Sequence, residues 1–144
     1  MKNNGILKQK TYAPKMASVK RDWHYIDAKD QILGRVATQV AKLLLGKTKP
    51  DYTPNEVTGG KVVVTNVDRI RVTGKKPTDK IYYHHTGFPK GLRAESYENL
   101  FARKPTDVLK RAVSGMLPKN RLRTPRMKNL YIYVGSEHPH QGAK

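Results

Sequence analysis

The chain has 144 residues, and its 29 lysines and arginines exceed its 11 acidic residues by 18. This length is typical of one domain with a modest core, and the absence of cysteine excludes disulfides, thiol nucleophiles and cysteine-based zinc sites. No aliphatic run exceeds three residues, whereas a bilayer span needs roughly 20. Because no signal-peptide segment is visible either, we expect a cytoplasmic protein. The lysine-rich, acid-free opening leaves an organellar protein as the lesser alternative.

The excess positive charge predicts a polyanionic partner. Eighteen uncompensated charges on a small chain repel one another unless a polyanion neutralises them. Nucleic acid is the favoured partner, an anionic membrane surface is the main rival, and a basic protein without any such partner is the third reading.

The first half of the chain begins with a basic segment and continues into a strand and a helix. Residues 1–22 contain one acid and no apolar periodicity, which predicts an extended N-terminal arm. Residues 23–27 alternate and are rich in aromatic side chains, so we expect a strand. Apolar residues at spacings of three and four predict a helix over 33–45, which Gly46 terminates.

The second half adds further strands and two helices. Strands are expected at 62–67, 69–74, 81–85 and 130–134, and helices at 95–102 and 105–113. The strand–helix–strand order near the start predicts a right-handed βαβ unit, and therefore an α/β sheet covered by helices. We expect one domain over 23–140 and a short tail over 141–144.

Basic residues concentrate in the arm and in the connections between elements. Arginine presents a planar fork that matches phosphate, and lysine a mobile point charge, so irregular basic segments can follow a folded phosphate backbone. Aromatic rings among them can stack on unpaired bases, as RNA-binding proteins do. We expect one of Tyr82 and Tyr83 to face the core and the other the surface. The candidate RNA-binding residues are Arg21, Arg35, Lys47, Lys49, Lys75, Lys76, Lys80, Tyr82, His84, His85, Lys90, Lys119, Arg121, Arg123, Arg126 and Lys128.

Of two glycine-containing stretches, only the first has the features of a phosphate site. Gly34 and Arg35 open the first helix, where free N–H groups favour an anion; the alternative is that Gly34 only permits close helix–sheet packing. Gly59 and Gly60 are read as a turn before a strand, because no Lys-Ser/Thr follows them.

Nothing in the sequence forms a catalytic or metal-binding constellation. His84 and His85 are adjacent on a strand and so point to opposite faces. His138 and His140 have only Glu137 nearby, the aspartates occur singly, and no serine lies in a nucleophile elbow. We therefore expect no enzyme activity, no cofactor, no metal and no small-molecule substrate.

Seven stretches of the sequence resemble the bacterial-type large-subunit ribosomal protein thirteen family. They are KRDW (20–23), LGRVA (33–37), YTP (52–54), VTGKK (72–76), YYHHTG (82–87), GMLPKN (115–120) and VG (134–135) with EHPH (137–140). The YYHHTG and GMLPKN stretches, in this order and spacing, are highly specific. The similarity runs over residues 20–140.

The resemblance implies a three-layer α/β/α sandwich around a mainly parallel four-stranded sheet. It also implies a structural protein of the large ribosomal subunit that binds 23S-type ribosomal RNA (rRNA), contacts neighbouring ribosomal proteins and supports subunit assembly. Such a protein is present in one copy per ribosome, is not a homo-oligomer and is not membrane-bound. In the family, the segments that match 82–90 and 116–128 face RNA.

Two departures from the family pattern limit this similarity. Leu122–Arg126 replaces a Leu-Gly-Arg stretch, and Pro125 disfavours helix at Thr124, so we expect the next short helix to begin later. The chain also lacks the longer proline-containing tail that is common in the family. A regulator that binds an mRNA leader is the alternative function, and it would use the same basic surface.

Overall fold

A computed structural model gives the arrangement of Pro14 and residues 19–141. Most of the predicted N-terminal arm and the last three residues of the predicted tail lie outside these described residues. The elements are β1 (Trp23–Asp27), α1 (Leu33–Leu45), β2 (Lys61–Thr65), α2 (Lys76–Asp79), β3 (Ile81–His85), β4 (Leu92–Ser96), α3 (Tyr97–Arg103), α4 (Pro105–Met116), α5 (Arg123–Met127) and β5 (Leu130–Ile132).

The strands form two separate sheets, which corrects the predicted single sheet of four strands. β1, β2 and β5 form a parallel sheet in the order β1-β2-β5, and β3 and β4 form an antiparallel hairpin apart from it. The strand predicted over 69–74 is replaced by a 3₁₀ turn at Val67–Arg69 and a single parallel bridge between Ile32 and Arg71. Asn66, at φ 54°, turns the chain out of β2 and so prevents the predicted continuation of that strand.

Helices pack on one face of the parallel sheet. Alternate residues of the strands, among them Ile26, Val62 and Val64, join the buried apolar stripes of α1 and α4 in one core. The opposite face bears Trp23, Tyr25, Val63 and Tyr131.

The segment 138–140 lies across this second face, where the predicted α/β/α sandwich would place helices. The His140 ring lies 4.8 Å from Trp23 and 4.5 Å from Tyr131, centroid to centroid, and the His138 ring lies 5.5 Å from Tyr25. In the described residues the fold is thus mixed α/β, with helices on one face and an aromatic, histidine-containing cover on the other.

Helix α1 follows its sequence pattern closely. Val36, Val40 and Leu44 are fully buried along one stripe. Gly46 ends the helix at φ 79°, in the left-handed region that glycine adopts readily, and its N–H donates to the carbonyls of Lys42 and Leu43. The predicted termini of this helix are confirmed.

Gly59 and Gly60 are sites of close backbone approach, and the turn predicted there is wrong because the chain turns earlier, at residues 54–55. A Cβ atom on Gly59 would lie 2.0 Å from the carbonyl oxygen of Leu44, and one on Gly60 would lie 2.5 Å from that of Asp22. Only glycine therefore lets the chain enter β2 between the end of α1 and the start of β1.

The shorter elements differ in detail from the predictions. Strand β4 was not predicted, because its Leu-Arg-Ala-Glu-Ser sequence has little β propensity. Helix α5 begins at Arg123, so the expected later start is wrong. Pro125 is the third residue of that helix, where a missing N–H leaves no helical hydrogen bond unmade.

Candidate nucleic-acid interface

A basic groove of about 840 Å³ lies between α4 and α5. Its lining includes Lys110 and Arg111 from α4, Arg123 from α5 and Lys128 just beyond it, with Asp107 as the one acid among the described lining residues. Four cations converging on an open groove create a positive field that attracts a phosphate backbone.

The sequence reading missed Lys110 and Arg111. Val108, Leu109 and Val113 of α4 are fully buried, so the helical period turns Lys110 and Arg111 to solvent. The sequence signal for these two residues is the three- and four-residue spacing of the polar positions Asp107, Lys110, Arg111 and Ser114, which places them on one face of the helix. These two residues lie on a predicted helix, whereas the predicted basic clusters lie in the connections between elements.

The connection from α4 to α5 extends the positive surface beyond the groove. Leu117 is buried and fixes the start of this connection, while Lys119 and Arg121 project into solvent. Asn120 stabilises the turn, because its Oδ1 accepts from the N–H of Leu122 at 3.2 Å. The two predicted RNA-binding residues of this segment are thus exposed on an ordered turn.

Arg126 belongs to the interior rather than to the basic surface. Its side chain is only 1% exposed, and its Nη2 donates to the carbonyl oxygens of Pro54 and Glu56 at 3.3 and 3.1 Å. A guanidinium enclosed in this way is unavailable to a phosphate group. This burial removes Arg126 from the residues that we propose to contact RNA.

A second group of cations surrounds Tyr82 at the base of the β3–β4 hairpin. The Lys80 ammonium lies 5.5 Å from the centroid of the Tyr82 ring, and the Arg111 guanidinium carbon lies 5.2 Å from it. Burial raises the pKa of Tyr82 above its ordinary value, against the opposing influence of Arg111. Lys75 and Lys76, at the start of α2, are exposed close by in sequence.

The hairpin carries exposed rings and imidazoles. Tyr82 is partly buried whereas Tyr83 is 61% exposed, which confirms that the two tyrosines divide between core and surface. Phe88, at the turn, is 74% exposed. The His84, His85 and Lys90 side chains are also exposed, and His85 Nδ1 accepts from the N–H of Gly87 at 3.0 Å.

The remaining candidates divide between the two ends of α1. Arg35 is exposed in the first turn, whereas Lys47 follows the C-terminus. Lys49 is 19% exposed and pairs with Asp22 at 2.7 Å, a hydrogen bond that lowers the pKa of Asp22. Arg21 precedes that pair. Since a helix of 13 residues is about 20 Å long, the structure does not bring the candidates together into one compact site.

Gly34 does not serve close helix–sheet packing. A Cβ atom placed on it would have no neighbour within 4 Å. The packing alternative for this glycine is therefore wrong, and Gly34 instead borders a cleft that Tyr82 and Arg111 also line.

Metal-binding clusters and membrane-spanning helices are missing from the part of the chain that the structure describes. No group of three or more His, Asp or Glu side chains is placed to hold a metal ion there. His84 pairs with Arg93 and His85 with Leu92 in the hairpin register, so the two histidines face opposite ways. No helix among these residues is long and apolar enough to cross a membrane.

The acidic side chains mostly serve the fold. Asp30 pairs with Arg71 at 2.6 Å, and Glu95 accepts two hydrogen bonds from Arg103. Asp27 accepts from Asn66 at 2.8 Å, which lowers the pKa of its carboxyl group. These pairs leave the groove and the Tyr82 surroundings strongly positive, so the structure is a small mixed α/β fold with a basic surface.

Comparison with known proteins identifies the family. The sequence model of ribosomal protein L13 matches residues 21–139. Over 131 residues the chain is 50% identical to the large ribosomal subunit protein uL13 of Pseudomonas aeruginosa strain PAO1 and to that of Alcanivorax borkumensis. It is 51% identical to the protein of that name from Pseudomonas savastanoi pv. phaseolicola. Each alignment covers 91% of this chain and 92% of the relative.

The chain belongs to the ribosomal protein L13 family. It is accordingly a ribosomal protein of the large subunit and not an enzyme.

Proposed function

We propose that this protein is a structural constituent of the large subunit that binds 23S-type rRNA and supports subunit assembly. The observation that carries the proposal is the groove between α4 and α5, where four cations face one acid. Phosphate contacts position a protein on folded RNA without reading its bases. The protein neutralises phosphates where RNA helices pack together, which stabilises an arrangement that would otherwise repel itself.

The proposed RNA surface comprises the groove, the 117–122 connection, the surroundings of Tyr82, the exposed hairpin and the cations at or near the two ends of α1, which are Arg21, Arg35, Lys47 and Lys49. Neighbouring large-subunit proteins are the other partners, and we propose one copy per cytoplasmic ribosome. Of the residues that sequence analysis singled out, all except Arg126 remain in the proposal, together with the added Lys110 and Arg111.

A double variant tests this proposal directly. Arg121→Ala with Arg123→Ala removes two cations at and beside the groove, and Lys29→Ala with Arg69→Ala removes two exposed cations that belong to none of the proposed RNA-contact sites. Affinity for large-subunit rRNA is measured over a series of salt concentrations. The first variant should bind more weakly, with a salt slope smaller by about 0.7–0.9 for each lost contact. Equal slopes for the two variants would remove this surface from the interface.

Sedimentation of lysate through a sucrose gradient separates this function from the mRNA regulator. A subunit constituent sediments with large subunits and ribosomes at about one copy each, and ribonuclease abolishes the comigration. Recovery near the top of the gradient, at far less than one copy per ribosome, would favour the regulator.

A further inference from the structure

A cleft of about 350 Å³ opens between the start of α1, the segment Val72–Thr73, strand β3 and helix α4. Clefts of roughly 300–1,000 Å³ are the usual sites for small ligands in proteins. The cleft is distinct from the α4–α5 groove, but Arg111 lines both. A ligand in the cleft is therefore within reach of a strand bound in the groove.

The lining of the cleft divides into an apolar wall and a cationic part. Leu33, Val72, Ala112 and Met116 supply much of the apolar surface. Lys76, Lys80 and Arg111 are the charged groups, and the twelve described lining residues include no acid. The site thus combines a place for an apolar, flat group with three positive charges for an anion.

Tyr82 connects these two halves. Its ring lies within 5.5 Å of the Lys80 and Arg111 charges, and it packs against Tyr97, Leu100 and Val108 through the small core beneath the hairpin. The ring is consequently held in a fixed position at the cleft. A fixed ring is a better stacking platform than a mobile one, because no side-chain entropy is lost on binding.

Four of the stretches that carry the family resemblance meet at this cleft. LGRVA contributes Leu33 and Gly34, VTGKK contributes Val72 and Lys76, YYHHTG contributes Tyr82, and GMLPKN contributes Met116. These residues are far apart in sequence and come together only in the fold.

We propose that the cleft binds one unstacked nucleotide of the bound RNA, with its base against Tyr82 and the apolar wall and its phosphate beside Lys76, Lys80 and Arg111. This inference rests on the proposed function and adds a ligand class for a specific site. A base is flat and largely apolar and its phosphate is anionic, which matches both halves of the lining. An acidic peptide would match the cations and leave the apolar wall and the ring uncovered.

The experiment fills the cleft without disturbing the core. Gly34→Leu adds a side chain at a position where a Cβ has no neighbour within 4 Å, and Gly135→Leu makes the same change at an equally open position outside the cleft. Lys80→Gln is the second cleft variant, and it removes an exposed cation while keeping the packing. Circular dichroism and thermal unfolding verify that each full-length variant is folded.

Two binding measurements are made on each protein. Adenosine monophosphate, ribose 5-phosphate and inorganic phosphate are titrated by NMR, and affinity for large-subunit rRNA is measured in parallel. Since stacking of one base on an aromatic side chain contributes roughly 1–3 kcal/mol, Gly34→Leu should weaken rRNA binding about 5- to 150-fold. Gly135→Leu should bind as the wild type does. Adenosine monophosphate should bind more tightly than the two base-free anions, and both cleft variants should reduce its binding.

Three outcomes would overturn the inference. The first is equal binding of the three small anions, and the second is wild-type rRNA affinity in both folded cleft variants. The third is that a poly-glutamate peptide displaces adenosine monophosphate from the wild-type protein while that protein still binds rRNA. If the wild-type protein itself fails to bind rRNA, the proposed function fails. If the wild-type protein binds rRNA and both cleft variants bind it as tightly as Gly135→Leu does, the proposed function stands and the nucleotide site does not.

Discussion

The guanidinium Nη2 of Arg126 lies 3.1 Å from the carbonyl oxygen of Glu56, so a buried arginine of α5 holds the connection between α1 and β2. The same nitrogen reaches the carbonyl of Pro54. An arginine that the sequence predicts to be an RNA contact therefore stabilises the fold behind the basic surface.

Arg126→Met is expected to destabilise the protein. The substitution keeps much of the side-chain volume but removes two hydrogen bonds from a charged donor. Each such bond contributes about 1.5–3 kcal/mol. We expect a loss of about 3–6 kcal/mol in the free energy of unfolding, measured by urea denaturation. Arg121→Met is the control, because Arg121 is exposed. Equal stability of the two variants would contradict a structural role for Arg126.

Gly59→Ala is expected to disturb the junction between α1 and β2. The added methyl group would lie 2.0 Å from the Leu44 carbonyl oxygen, and backbone atoms on both sides would have to move. Such overpacking typically costs about 1–3 kcal/mol and sometimes more, and we expect the upper end of that range. Thermal unfolding measures the loss. Gly135→Ala, at an open position, should leave the midpoint unchanged; a similar shift in both variants would refute the close-packing argument.

Tyr25→Phe is expected to loosen the cover on the second face of the sheet. The Tyr25 hydroxyl donates to the His140 carbonyl oxygen at 2.7 Å, and a hydrogen bond of this kind contributes about 0.5–1.5 kcal/mol. Hydrogen exchange of amides over 136–141 should therefore accelerate. Tyr83→Phe alters an exposed hydroxyl and should have no such effect. Unchanged exchange in the Tyr25 variant would contradict a role for this hydrogen bond in holding the segment.

Tyr82 is expected to make stability depend on alkaline pH. Burial raises its pKa in the folded protein above the ordinary value of 10.0, so the folded state retains a proton that the unfolded state releases. The corresponding stability is complete below about pH 10 and declines as the pH rises towards the folded pKa. Tyr82→Phe should flatten this decline and remove one late step from the ultraviolet titration of tyrosinate. Tyr97, whose pKa burial also raises, should still titrate late. An unchanged titration curve in the Tyr82 variant would contradict the prediction.

Much of the fold was predictable from local patterns. Helix α1 was identified with correct ends because its apolar spacing and Gly46 agree with each other. The second sheet was not predicted, since strand β4 has no β-prone residues and depends on pairing with β3. Strand pairing is a long-range property that sequence periodicity does not contain.

The candidate site was only partly predictable for a similar reason. Exposed basic connections were found from composition, but the burial of Arg126 depends on carbonyl groups about 70 residues away. The contribution of Arg111 became visible only when α4, α5 and the hairpin were placed in space. Composition thus predicts that a surface is basic, and the fold decides which cations belong to it.

The order β1-β2-β5 has a consequence for the synthesis of the chain. β2 is the central strand, and one of its two partners is Leu130–Ile132, near the end of the described residues. While the chain is being translated, β2 exposes an unpaired hydrogen-bonding edge until those three residues have emerged from the exit tunnel. The native sheet therefore closes only after the whole segment from β2 to β5 has been synthesised, and until then that edge is open to pairing with another chain.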